Sequence, residues 1–308
     1  MLATFPGVPV RRHAVTAAGR TLALGERPWL MGVVNASPDS FSDAGAYPDL
    51  DARVALAAEL VRAGADIVDV GGESAITLRP PVQVGEEIAR VVPLVQRICN
   101  DLGAAVAVSV DTYKPAVAAA AIQAGACIVN DVSGLLDPEL ADVCADSGAA
   151  LVLMHTRAAP KQRLSDPEFY EDVVDDVMRF LSERMDIARA RGVRDEQIIL
   201  DPGPDFAKTP AQTIALLGRL EELHALGRPL LLAASRKDFV GALTGRGPRD
   251  RLAGTLAAVG FGVDAGAHVL RVHDIAEVAD YLCVRGALRG EASIDPALAL
   301  DDAIRHAR

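Results

Sequence analysis

Several short apolar runs in this sequence close on side chains that could hold a polar ligand. "AVAVSVDT" (105–112) carries Asp111, "CIVND" (127–131) ends in Asn130 and Asp131, and "IILDPG" (198–203) carries Asp201. Carboxylates and amides can pair with the donor and acceptor edge of a nitrogen heterocycle while an Arg or a peptide plane covers its face. Taken singly, each could instead cap the helix that follows it. "LLLAAS" (230–235) closes on Ser235 and leads into Arg236 and Lys237, and "HVLRVHD" (268–274) brings Arg271 and His273. Strand alternation points Arg271 and His273 to the same side. The chain has 42 acidic residues against 31 basic ones, a net charge of −11. In such a chain, cations gathered at adjacent run ends answer something anionic, the plain alternative being a surface ion-pair network. "LMGVVN" (30–35) ends in Asn35 and continues into "ASPDSFSDAGAY", which Asx-type turns alone would also explain. Together the run ends describe a polar heterocycle flanked by a phosphate or pyrophosphate.

Such residues need a scaffold that brings distant run ends to one mouth. The runs above, with "DIVDVGG" (66–72) and "ALVLMHT" (150–156), do not alternate apolar with polar, as expected of parallel strands covered on both faces. Between them lie segments with helical spacing, such as 50–64, 86–103 and 137–149. "RAGAD", "QAGAC", "DSGAA" and "DAGAH" each place a Gly just before the next run, where a left-handed residue stops a helix. The alternation predicts an α/β protein, a (β/α)8 TIM barrel, with its site at the C-terminal ends of the strands. The rival doubly wound sheet lacks a GxGxxG after its first strand. Residues 8–27, with "AVTAAGRTLAL", predict a short N-terminal hairpin covering the barrel floor. No linker or low-complexity segment marks a second domain, so 1–308 is read as one barrel domain with 1–27 as its N-terminal extension.

Composition bounds the partners. Half of the residues are hydrophobic and 24% are charged, the mix of a folded globular chain. The acidic balance argues against nucleic acid, which needs a basic face. Cys99, Cys127, Cys144 and Cys283 stand far apart among Ala, Val, Ile or Leu and are read as reduced core thiols. The N-terminus lacks the layout of a signal peptide and no window holds ~18 uninterrupted apolar residues, so the expectation is a cytoplasmic protein without a membrane partner.

The motifs "MGVVNASPDSFSDAG", "DVGGES", "SVDTYK", "NDVSG", "LMHTR", "DPGPDFAKT", "SRKDFVG" and "GTLAAVGFGVDAGAHVLRVHD" are specific in combination. Over about Trp29 to Glu291 the chain resembles the dihydropteroate synthases of folate biosynthesis. The resemblance implies a (β/α) barrel, usually a homodimer, and a transferase that joins 6-hydroxymethyl-7,8-dihydropterin pyrophosphate to p-aminobenzoate. Pyrophosphate would be released with help from Mg²⁺. Carried over motif by motif, Asp111, Asn130, Asp201 and Lys237 would contact the pterin. Arg271, His273 and Asn35 would contact the pyrophosphate, Asn35 also the metal, with Ser42 and Asp43 in the first loop. Lys237, Asp43 and Arg271 are then the implied catalytic residues, and Thr77, Arg79, Phe206 and Ser235 the implied p-aminobenzoate contacts.

Two loops depart from the family pattern. Where Gly-Glu-Ser-Thr-Arg-Pro-Gly is usual, this chain has "GESAITLRPP", so the Thr and Arg fall on Ala75 and Ile76 and reappear as Thr77 and Arg79. The usual Asp-Pro-Gly-x-Gly-Phe-Gly-Lys becomes "DPGPDFAK" (201–208). Pro204 removes a backbone donor, Asp205 and Ala207 replace glycines, and Asp205 adds negative charge near the ligand; Phe206, matching an aromatic wall of the p-aminobenzoate pocket, and Lys208 are kept. Two other readings follow: a non-catalytic or altered-specificity paralogue that binds a pterin, and a pterin-dependent methyltransferase. The methyltransferase has no reason to keep both "SRK" and "RVH".

Overall fold

The computed structural model describes residues 11–36, 49–73, 80–292, 294–300 and 305; Ser42, Asp43, Ala75, Ile76, Thr77 and Arg79 lie outside them. Strands β1 (His13–Ala17) and β2 (Arg20–Leu24) form the expected hairpin, antiparallel from His13 opposite Leu24 to Ala17 opposite Arg20. Both central residues of its turn are left-handed, Ala18 at φ 47° and Gly19 at φ 80°, which lets a two-residue connection follow the twist of the strands.

The remaining strands are parallel: β3 (Trp29–Asn35), β4 (Ile67–Gly71), β5 (Ala107–Asp111), β6 (Ile128–Asp131), β7 (Ala150–Met154), β8 (Ile198–Asp201), β9 (Leu231–Leu232) and β10 (Val269–Val272). Their spatial order is β8-β7-β6-β5-β4-β3-β10-β9. A bridge between Leu200 and Leu230, with the Leu200 N–H donating to Pro229 O at 2.9 Å, joins β8 to β9 and closes the ring. This is a (β/α)8 barrel and not a doubly wound sheet. Around it run α1 (Leu50–Arg62), α2 (Val84–Leu102), α3 (Pro115–Gln123), α4 (Glu139–Ser147), α5 (Val173–Ala190), α6 (Pro210–Gly218), α7 (Asp238–Thr244), α8 (Leu252–Asp264) and α9 (Ile275–Arg289). Local chemistry sets their ends: Asp49 accepts from the Ala52 N–H, and Thr209 and Gln212 cap each other ahead of Pro210. Gly64, Gly125, Gly148 and Gly266 take the left-handed φ expected of helix stops. Among the described residues no helix is long and apolar enough to cross a membrane.

Strand alternation sorts the core into an outer and an inner part. Val68, Val70, Val129, Leu151, Leu153, Leu200, Leu270 and Val272 face the helices and meet Leu94, Ile98, Leu140, Val177 and Leu216. Met31, Ile67, Ala107, Ile128, Ile199 and Val269 face inward and are covered from below by Val15, Ala17, Leu22 and Leu24 of the hairpin. Two residues further along the same strands, on the same inward face, come Asp69, Ser109, Asn130, Asp201 and Arg271. The lower half of the barrel is therefore apolar and its upper half polar.

Two expectations need correction. The "LLLAAS" run forms a strand only at Leu231–Leu232, because the chain leaves the ladder to reach a left-handed turn at Arg236, φ 57°. Cys283 is exposed on the outer surface of α9 and is not a core thiol, whereas Cys127 and Cys144 are buried and all four cysteines are free. An apolar neighbourhood in sequence says little about which side of a helix faces out.

Three of the histidines meet where the hairpin joins the barrel. The His268 ring lies 4.9 Å from that of His13 and 5.7 Å from that of His224. Its Nδ1 accepts from the Leu230 N–H at 3.1 Å and its Nε2 donates to Arg11 O at 2.8 Å, which fixes a neutral tautomer. Burial pushes this ring down to about 4, below the ~6.5 of a free histidine. A depressed folded value means that the neutral ring's contribution is fully present above ~6.5 and is lost as the pH falls toward 4. In an NMR titration the His268 ring is expected to show no protonation above pH ~5; a midpoint near 6.5 would contradict the neutral, doubly bonded ring.

Candidate active site

Arg271 is the hub of the polar half. Its Nε donates to Asp69 Oδ2 at 2.7 Å and one terminal nitrogen to Asp111 Oδ2 at 2.8 Å. Asn130 donates its amide N–H to the same Asp69 oxygen at 3.0 Å. Among the described residues, Asn130 Oδ1 is buried without a hydrogen-bond partner, as are Asp69 Oδ1 and Ser109 Oγ. Buried polar atoms are nearly always satisfied, so these are acceptors and a hydroxyl waiting for a ligand or solvent. Asp69 was not singled out by the sequence reading; its signal is the one carboxylate inside the apolar strand Ile67–Gly71, two residues from the strand's end.

The strand-end residues divide according to which face they present. Asn130 enters the barrel, but its neighbour Asp131 turns away and caps its own loop, accepting from the Ser133 N–H and Oγ–H at 2.8 and 2.6 Å and from the Leu135 N–H at 2.5 Å. Asp201 does both, one oxygen accepting from the Gly203 N–H at 2.7 Å while the residue stays buried at the mouth. The turn demands Gly203: it is left-handed at φ 65°, and a Cβ there would stand 2.1 Å from His155 O. Ser235 and His273 meet at the mouth, Oγ to Nδ1 at 3.0 Å. Between Ser235 and Lys237, the left-handed Arg236 is braced by Thr255, whose Oγ1 accepts its N–H at 3.0 Å, and by Asp274, 3.1 Å from its Nε. Lys237 then lies over the Phe206 ring, Nζ 4.3 Å from the centroid. Asn35 ends β3 beside Gly71, whose other neighbour is Asp111. Thus Asn35, Asp111, Asn130, Asp201, Ser235, Lys237, Arg271 and His273 share the C-terminal mouth, with Phe206 beside them in the loop after β8.

Burial shapes the charges. It pushes the Asp111 carboxyl up to about 7 against the pull of Arg271, with Asp69 and Glu87 adding to the rise. Burial also raises Asp201. It lowers Lys237, and the carboxylate of Asp205 is the strongest charge opposing that fall. Arg271 resists its own burial because Asp69 and Asp111 hold it protonated.

Two buried networks support the mouth, and the sequence reading named neither. Lys208 sends its Nζ to His155 Nδ1 at 2.7 Å, Gly203 O at 2.9 Å and Phe206 O at 3.0 Å, while His155 Nε2 faces Asp176 at 3.0 Å. Burial lowers Lys208 to about 7, yet three acceptors around Nζ call for three N–H donors, so the geometry is that of the ammonium. On the opposite side, Lys114 joins Glu73 at 2.7 Å, Val82 O at 2.8 Å and the buried Glu87, which also accepts from Thr112 Oγ1 at 2.8 Å. The Val82 N–H donates to Glu73 at 2.9 Å, so this network ties together the chain on either side of 74–79. Glu87 reads from sequence as one more acid in a first helical turn, which is why it escaped notice.

The altered loop after β8 keeps a glycine-like backbone without the glycines: Asp205 has φ 65° and Ala207 φ 52°. A Cβ in the left-handed region costs ~1–2 kcal/mol, partly offset by the freedom a Gly has when unfolded. Ala207→Gly is therefore expected to raise stability by about 0.5–1 kcal/mol in urea unfolding; a loss of stability would show that the Ala methyl, 93% of whose residue surface is covered, contributes more by packing.

A (β/α)8 barrel with carboxylates, a buried amide oxygen and cations converging at its C-terminal mouth is an enzyme scaffold suited to a polar heterocycle bearing an anion. The chain belongs to the pterin binding enzyme family, whose profile matches residues 31–273. A dihydropteroate synthase of Bacillus subtilis is 42% identical over 259 residues, 84% of this chain and 87% of that protein. The Xanthomonas albilineans dihydropteroate synthase with 4-aminobenzoic acid superposes with a TM-score of 0.81 at 41% identity, covering 90% of this chain and 98% of that one. The Burkholderia cenocepacia dihydropteroate synthase complexed with 7,8-dihydropteroate gives 0.81 at 37% identity, covering 91% and 98%.

Proposed function

We infer that this protein carries out the dihydropteroate synthase reaction, condensing 6-hydroxymethyl-7,8-dihydropterin pyrophosphate with p-aminobenzoate to 7,8-dihydropteroate and pyrophosphate. The observation that carries the reading is the buried Asn130 Oδ1, without a partner among the described residues, set among Asp111, Asp201 and Arg271 in one barrel mouth. The relatives that match most of the chain support it. In this reading Asp111, Asp201 and Asn130 accept the N–H donors of the pterin edge, and Lys237 donates to its acceptors. Arg271, His273 and Asn35 receive the pyrophosphate. The amine nitrogen of p-aminobenzoate attacks the pterin methylene, the C–N bond forms as the C–O bond breaks, and the electron pair leaves on the pyrophosphate. The amine proton is lost to solvent. Arg271 and Lys237 offset charge as it develops on the leaving group, so no covalent nucleophile is needed. Phe206 and Ser235 form the acceptor side together with Thr77 and Arg79.

A magnesium ion belongs to the same proposal. Among the described residues no group of three or more His, Cys, Asp or Glu side chains is arranged to hold a metal ion. An ion that arrives with the pyrophosphate needs only one or two protein oxygens, and the amide oxygen of Asn35 at the end of β3 is such a donor, with Asp43 assigned beside it from sequence. When bound, it would neutralise leaving-group charge. We likewise assign one barrel domain over 1–308 with 1–27 as its extension, a homodimer, and the cytoplasm, where four free cysteines are at home. The dimer is supported by an apolar outer face, with Phe261 on α8 and Val284 and Leu288 on α9 all exposed.

The test mixes the protein with the pterin pyrophosphate, Mg²⁺ and p-aminobenzoate and follows pyrophosphate release and the 7,8-dihydropteroate product. Tight pterin binding without product would favour the non-catalytic paralogue.

A further inference from the structure

Asp205 stands at a position where a carboxylate is costly, on a left-handed backbone, φ 65°, and its side chain is fully engaged. Oδ2 accepts from the Asp238 N–H at 2.5 Å and lies 3.4 Å from the Phe239 nitrogen, the first two residues of α7. Oδ1 accepts from Thr213 Oγ1 at 3.1 Å, and Thr213 Oγ1 in turn accepts from the Asp205 N–H at 3.1 Å. One side chain thus joins the loop after β8 to α6 and to the start of α7. The residues on either side of this tie are Phe206, adjacent in the loop, and Lys237, which precedes α7; they are the pair stacked at 4.3 Å. Without the tie, α7 would lose a cap on its first turn and the two loops would be joined mainly by that cation–ring contact.

We propose that Asp205 is a positioning residue of this site: by clamping the loop after β8 to the first turn of α7, it holds the Phe206 ring and the Lys237 ammonium at the spacing that receives a planar aromatic acid. A half-buried ring beside a cation can take a flat ring against its face or edge and an anionic substituent at the ammonium, and both contacts fail if the loops drift apart. Asp111 and Asn130, which contact the pterin, and Arg271, which contacts the pyrophosphate, stand on other strands and do not depend on the clamp; Lys237, which the clamp holds, serves both substrates. Asp205 therefore acts mainly on the acceptor half, and on the pterin half only through Lys237. This rests on the reading of the function given above.

The experiment compares Asp205→Gly with Asp205→Asn. Glycine relaxes the left-handed backbone and so folds readily, but it removes the carboxylate; asparagine keeps a carbonyl oxygen for the Asp238 N–H and an amide for Thr213. In Asp205→Gly, KM for p-aminobenzoate is expected to rise at least fivefold and by clearly more than the loss of pterin affinity read by calorimetry, and Asp205→Asn is expected to restore most of the loss. Amide exchange at Asp238 and Phe239 should quicken in Asp205→Gly and not in Asp205→Asn. Unchanged KM in Asp205→Gly, or equal losses for both substrates, overturns the proposal. If wild type forms no product, the functional reading falls, and the exchange measurement still decides the clamp: unaltered exchange at 238 and 239 refutes it.

Discussion

Arg271→Ala is expected to abolish the preference for the pterin pyrophosphate over the plain pterin alcohol and to lower kcat/KM by roughly 100- to 1000-fold, the range seen when one donor to a developing oxyanion is removed. The guanidinium gives charge-assisted bonds that only the anion can use. It also separates Asp69 and Asp111, bonded at 2.7 and 2.8 Å, so its loss leaves two carboxylates facing each other in the barrel. Breaking a buried ion pair costs ~3–5 kcal/mol, and the variant should be markedly less stable as well. Arg271→Lys separates the two effects: one ammonium keeps the charge but cannot reach both carboxylates as a fork does. Lysine should recover part of the stability and little of the selectivity. Calorimetry with both pterins decides the matter; a wild type that binds alcohol and pyrophosphate equally would defeat the assignment before any variant is made.

The second large effect is at the heterocycle. Asp111→Ala and Asp201→Ala are each expected to weaken pterin binding at least tenfold, about 1.4 kcal/mol, the loss when a charged hydrogen bond to a buried ligand disappears. The two carboxylates have different second duties: Asp111 binds Arg271, and Asp201 holds the Gly203 N–H at 2.7 Å. Asp201→Asn, which can keep the Gly203 bond through its carbonyl oxygen, should therefore retain the turn while still losing affinity. Unchanged pterin affinity in both Ala variants would displace the heterocycle from this mouth.

The strand ends were readable because strand alternation has a period of two and needs no tertiary information: Arg271 and His273 fall on one side wherever the strand goes. Which member of Asn130 and Asp131 faces inward was not readable from the strand pattern, since a shift of one residue exchanges the faces; the family motif alone pointed to Asn130. Both stand at a strand end, and the packed barrel shows Asn130 turned inward and Asp131 capping its own loop. Asp69 and Glu87 were hidden for related reasons, one inside an apolar run and the other among ordinary helix-start acids.

By itself the sequence determined the alternation of strand and helix, the glycine stops, the covering hairpin and the polar run ends, all consequences of interactions within a few residues. Tertiary structure decided the partners. Asp69 and Arg271 are 202 positions apart, and Asp205 reaches across 33 to cap α7. In sequence Asp205 reads as a negative charge added near a ligand; in the fold that charge is taken up by the backbone of α7 and by Thr213. Hydrogen bonds reach only ~3 Å, so a polar side chain's role follows from what the closed barrel brings within that distance, which no local pattern in the chain records.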